Sequence, residues 1–111
     1  MSDKWHILRD GESLTLSRHL PPRFDIVART TLPVAGRRWV AHQIRQDIWR
    51  ALRGLRGFSP TVRVTRENDV LAVEAGGRVM LQRPSAVWEE RLAAVLENPE
   101  LRRRWTGVAG A

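Results

Sequence analysis

The chain has 111 residues, 42% hydrophobic and 28% charged, the composition of a folded domain and not of a disordered tail. Its net charge is +7, and 18 of its 19 basic side chains are arginine. There is no cysteine, which excludes disulfides and thiolate metal sites, and no run approaches the ~20 apolar residues of a membrane span.

A chain this short builds one core and leaves little material for an enclosed substrate cavity. The opening residues MSDKWHILRD contain no apolar run of signal-peptide type, so the expectation is a cytoplasmic protein. The bias to arginine over lysine suits a GC-rich bacterial genome, but it also changes the chemistry. A guanidinium binds phosphate bidentately and stacks on flat rings. A small basic domain most often meets a polyanion.

In chain order, Trp5 to Leu8 and Leu14 to Leu16 flank the turn dipeptide Asp10-Gly11 and predict a β-hairpin. His19 to Pro22 interrupts the pattern, since the prolines forbid a central strand or helix. RFDIVARTTL then alternates Phe24, Ile26 and Ala28 against Asp25, Val27 and Arg29, which reads as a strand ended by Pro33. From Arg37 to Gly57, apolar residues Ala41, Ile44, Ile48, Ala51, Leu52 and Leu55 recur at spacings of three and four. That spacing predicts one helix of about 20 residues, ~30 Å long, with Gly57 as its C-terminal stop.

Val62 and Val64, then Leu71, Val73 and Ala75, alternate with polar residues across the turn Glu67-Asn68-Asp69, a second hairpin. Gly76-Gly77 reads as a bulge or a further turn before Val79 to Leu81. Pro84-Ser85 opens another helix, with Ser85 as N-cap, Glu89 and Glu90 near the start, and Val87 or Trp88, Leu92, Val95 and Leu96 inward. Asn98 and Pro99 restart a short helix that carries Arg102, Arg103, Arg104 and Trp105, before TGVAGA frays. The order implies an α+β fold: a small antiparallel sheet, made of an N-terminal hairpin, a strand and a second hairpin, packed against one long helix and a C-terminal helix. Residues 1–111 form a single domain with frayed ends.

The charge pattern of the long helix carries the functional expectation. GRRWVAHQIRQDIWRALRGLRG holds six arginines and a single acid, Asp47. Arg38, His42, Arg45, Trp49, Arg53 and Arg56 follow one another at steps of four, three, four, four and three, and line one flank beside the apolar stripe. Arg50 and Trp39 fall farther round. The expected rod is comparable in length to a turn of duplex DNA, ~34 Å, and Trp49 sits where a base could stack on it.

Ordinary structure explains part of this. Arginine stems commonly cover a core edge with their heads in water, and Trp49 suits a core boundary. It does not explain the missing acids, because like charges at i, i+4 destabilise a helix by ~0.2–0.5 kcal/mol per pair. Arg78, beside the flexible Gly76-Gly77 tip, and the cluster Arg102, Arg103 and Arg104 would extend the basic surface. The last three also suit the dipole at a helix end.

Catalytic signals are thin. His6, His19 and His42 have no metal-ligand spacing, and the chain has no phosphate-binding loop, dinucleotide fingerprint or nucleophile elbow. No cofactor or metal is expected. The expected function is a non-enzymatic, accessory or regulatory nucleic-acid-binding protein. It would contact the backbone with weak sequence preference, take DNA ahead of RNA, involve no membrane, and act as a monomer or homodimer. Two alternatives remain. One is an adaptor or inhibitor that docks an acidic protein partner, which five tryptophans and many arginines would serve. The other is a small toxin-like ribonuclease, against which the lack of tyrosine and of a His-Arg cluster counts.

Overall fold

Period-two alternation in the strands creates a sheet with one apolar and one polar face. The computed structural model of the chain describes residues 5–80, 83 and 85–107. Five strands, β1 (His6–Asp10), β2 (Ser13–Ser17), β3 (Ile26–Pro33), β4 (Phe58–Glu67) and β5 (Val70–Val79), form an antiparallel sheet in the order β1-β2-β4-β5-β3. Three helices, α1 (Arg37–Ala51), α2 (Ala86–Leu96) and α3 (Pro99–Thr106), complete the α+β fold, and the Cα radius of gyration is 13.2 Å.

The register sets Leu14 against Val64, Leu16 against Val62 and Val62 against Ala75. Val64 faces Val73, and Leu71 faces Leu32. These side chains are buried and share the core with Val40, Ala41, Ile44, Ile48 and Leu52 from the α1 stripe. Leu92 and Leu96 of α2 and Trp105 of α3 close the other end of the same core. Trp88, not Val87, is the half-buried residue at the start of α2; Val87 is exposed. Ser85 is the α2 N-cap residue by position, though its side chain makes no cap hydrogen bond, whereas Asn98 Oδ1 accepts from the Leu101 N–H.

The helix is shorter than the apolar spacing suggests. It ends at Ala51, and the Leu52 N–H closes the last turn on the Ile48 carbonyl. Leu52 and Leu55 remain buried from the turns that follow. Gly54 and Gly57, poor helix formers in the final expected turns, explain the early stop. At 15 residues, α1 spans about 22 Å and not ~30 Å.

Gly76 and Gly77 also depart from expectation. They form neither a turn nor a hairpin tip, but lie buried in the middle of β5, between β3 and β4 with unbroken register. A Cβ on Gly76 would fall 1.9 Å from the Ile26 carbonyl oxygen, and one on Gly77 would fall 2.0 Å from that of Ser59. Gly77 also has φ +152°, which an L side chain rarely adopts. The pair is present because neighbouring backbones crowd both sides of the strand. Leu81, Pro84 and the expected frayed ends at residues 1–4 and 108–111 lie outside the described residues.

The polar sheet face carries a charged row in cross-strand register. Arg29 Nε and Arg63 Nη1 donate to the two Glu74 oxygens at 3.2 and 3.1 Å, and Arg63 Nε donates to Thr15 Oγ1. Both flanking rows hold hydroxyl pairs, Ser13 with Thr65 and Ser17 with Thr61. Edge strand β3 is covered by the helices: its Val27 N–H donates to Glu89 Oε2 at 3.0 Å, and Arg102 Nη2 donates to the Thr31 carbonyl at 2.6 Å.

Crowding at the glycine pair yields the first prediction. Gly76→Ala or Gly77→Ala should lower unfolding free energy by more than ~4 kcal/mol, or prevent folding altogether. Gly11→Ala, in the open β1–β2 turn at φ +58°, should cost only about 1–2 kcal/mol. Urea unfolding followed by circular dichroism separates the two cases.

Candidate nucleic-acid interface

Alpha-helical geometry divides the α1 charges between two flanks of its buried stripe. Asp47, two residues on from Arg45, points about 200° away around the axis. It is 7% exposed, and its Oδ2 accepts from Trp105 Nε1 at 2.7 Å and from Arg104 Nη2. Arg50 Nη1 lies 4.0 Å from its other oxygen. The helix's one acid is therefore consumed in holding α3 to α1. Its neighbours Arg50 and Arg104 partner it there.

The opposite flank holds Arg38, His42, Arg45 and Trp49. Burial is the largest influence on the His42 imidazole, and Arg45 and then Arg38 add to it; together they hold it below the ordinary imidazole range. A histidine that two guanidinium groups discourage from protonating reports a positive local field.

The Arg45 and Trp49 end of this flank meets the open ends of β1, β2 and β4. Continuing the hairpin register one residue past His6↔Ser17 sets Trp5 opposite Arg18. The Arg45 guanidinium lies 4.7 Å from the Trp5 ring centroid and that of Arg18 lies 5.8 Å from it, both within cation–π range. Trp49 is 46% exposed and stacks on Phe58, with centroids 6.5 Å apart and planes 13° apart. Trp5, Arg18, Arg45, Trp49 and Pro60 together line a cleft of about 170 Å³. Arg53 and Arg56 do not continue the helical flank. They are exposed in the turns from α1 to β4, leading to the strand that supplies Phe58 and Pro60.

The remaining basic residues do not converge on this cleft. Strand alternation puts Arg78 on the sheet face away from the helices, where its Nε donates to Met80 Sδ at 3.2 Å. Arg102 is 13% exposed and is used structurally, donating to Thr30 Oγ1 and to the Leu96 and Thr31 carbonyls. Arg103 is exposed on α3. Trp5, Arg18 and Pro60 were not evident as site residues in the sequence. Only strand register joins them, and no local motif signals it.

Among the described residues, no three His, Asp or Glu side chains gather in an arrangement that could hold a metal ion. No helix of the described chain is long and apolar enough to cross a membrane. Compared with protein families, characterised proteins and solved structures, the chain finds no match in any of the three.

Two measurements follow from these assignments. His42 should titrate below a normal imidazole by NMR, and Arg38→Glu should move its pKa upward. Because the fold disfavours the protonated form, its contribution to stability is complete above the unfolded value of ~6.5 and is lost as pH falls through the lowered native value. His42→Gln should flatten that acid-side decline in urea melts. Separately, Arg102→Ala should destabilise the fold by about 1–3 kcal/mol through the acceptors it strands, whereas Arg103→Ala should stay within ~0.5 kcal/mol of the parent.

Proposed function

We propose that the protein is a non-enzymatic nucleic-acid-binding protein, acting on DNA in an accessory or regulatory role in the bacterial cytoplasm. The near flank of α1 meets the sugar–phosphate backbone. Arg38 and Arg45 contact phosphates from the helix, Arg53 and Arg56 from the turns after it, and Arg18 from the end of β2. The observation that carries this reading is the one-sided use of acid on α1. Asp47 is buried on the far flank, while on the near flank Arg45 and Arg38 repel each other beside His42, whose imidazole is held below its ordinary range first by burial and then by these two guanidiniums. A polyanion relieves that self-repulsion, and arginine supplies the planar fork that phosphate geometry favours. Contacts of this kind read the backbone and not the bases, so sequence preference is weak.

An acidic protein surface presents the same charge and is the main competitor. Salt dependence with defined oligonucleotides distinguishes it. If about five phosphates are neutralised, log K should fall against log salt with a slope of roughly −4 to −5 on duplex DNA and about −3.5 on single strands. Charge reversal at the exposed pair, Arg38→Glu with Arg53→Glu, should cut affinity at least tenfold with the thermal midpoint nearly unchanged, as read by fluorescence anisotropy and differential scanning fluorimetry. If the chain binds no nucleic acid at low salt but retains one acidic protein after nuclease treatment, the reading fails.

A further inference from the structure

The cleft beside α1 has chemistry that phosphate neutralisation alone does not require. Two indoles and two guanidiniums meet in about 170 Å³, well below the ~300 Å³ at which pockets for whole small molecules begin. It has room for one flat ring with charge at its rim. Trp49 offers an exposed surface, backed by Phe58, against which a ring can lie flat. Trp5 is recessed, packed partly against the core beneath Arg45. A base inside a duplex hides both its faces in the stack and cannot reach such a recess; a base on an unpaired strand can.

We propose that this cleft receives one unpaired nucleobase, and that the protein therefore prefers single-stranded nucleic acid over duplex. The base stacks on Trp49 at the mouth of the cleft, and its two flanking phosphates lie against Arg18 and Arg45. Neighbouring nucleotides run along Arg38 on one side and Arg53 and Arg56 on the other. Because every base has a π-face, the site is tolerant of sequence. This inference rests on the phosphate-binding reading above and adds the strand state and the base contact to it.

The test compares four ligands of equal length: dT12, rU12, a twelve-unit abasic deoxyribose-phosphate strand and a 12-bp duplex. Binding is read by anisotropy at fixed salt. The expected order places dT12 at least tenfold tighter than both the abasic strand and the duplex; rU12 binding tighter than dT12 overturns the assignment to DNA while leaving the base-in-cleft proposal standing. Trp49→Leu should bring the tighter of these two ligands down to the abasic level without weakening the abasic strand. Trp49→Phe should recover part of the loss, and melting curves should confirm that both variants fold. Quenching of tryptophan emission by the preferred strand should be smaller in Trp49→Leu.

Equal binding of the abasic strand and dT12, or duplex binding tightest with no effect of Trp49→Leu, overturns the base-in-cleft proposal while leaving phosphate binding standing. Absence of binding to all four ligands overturns both.

Discussion

A carboxylate removed from water must be matched by donors, and Asp47 meets that demand across the α1–α3 contact. Its oxygens collect the Trp105 indole N–H and the Arg104 guanidinium, with Arg50 alongside. Trp105 is fully buried and fills the end of the core that α2 and α3 enclose. The interaction thus anchors a short helix that eight residues alone would not stabilise. It also decides where charge accumulates. Once the helix's only acid is turned inward on one flank, the other flank has nothing on its own helix to offset Arg38 and Arg45.

The sheet supplies the other half of the candidate site. Its apolar face holds α1 by the stripe from Val40 to Leu52, which fixes the rotation of the helix and hence the direction of Trp49. Its strand ends supply Trp5 and Arg18 from one hairpin and Phe58 and Pro60 from another. Residues distant in sequence become neighbours only because β2 lies between β1 and β4. The guanidinium–indole contacts at Trp5 follow directly from that order.

The elements were legible in the sequence from period and from turn and cap chemistry. Alternation revealed the second hairpin and β3, the Asp10-Gly11 turn between two apolar runs revealed the first hairpin, spacings of three and four revealed the buried stripe of α1, and Ser85 and Asn98-Pro99 marked the starts of α2 and α3. What misled was local chemistry with two meanings. Gly76-Gly77 has the composition of a turn, yet it serves close packing between strands, a demand that only neighbouring chains impose. Gly54 weakened a helix whose apolar pattern continued to Leu55, and the backbone followed the glycine while the leucines stayed buried. The flank comprising Arg38, His42, Arg45 and Trp49 could be read from the helical wheel. Its completion by Trp5, Arg18 and Pro60 could not, because register between strands is set by the whole sheet. Nor does the compact string Arg102 to Arg104 reveal that its members diverge, the first onto the β3 edge, the second into solvent and the third onto Asp47.

The two margins of the sheet are unlike. Glu89 and Arg102 occupy outward backbone groups of β3, and Pro33 at its end has no N–H to offer, while among the described residues no strand or helix lies beyond β1. The β3 margin is thus closed at Val27 and Thr31 by the protein's own helices, and a strand arriving there would first have to displace the Glu89 carboxylate and the Arg102 guanidinium.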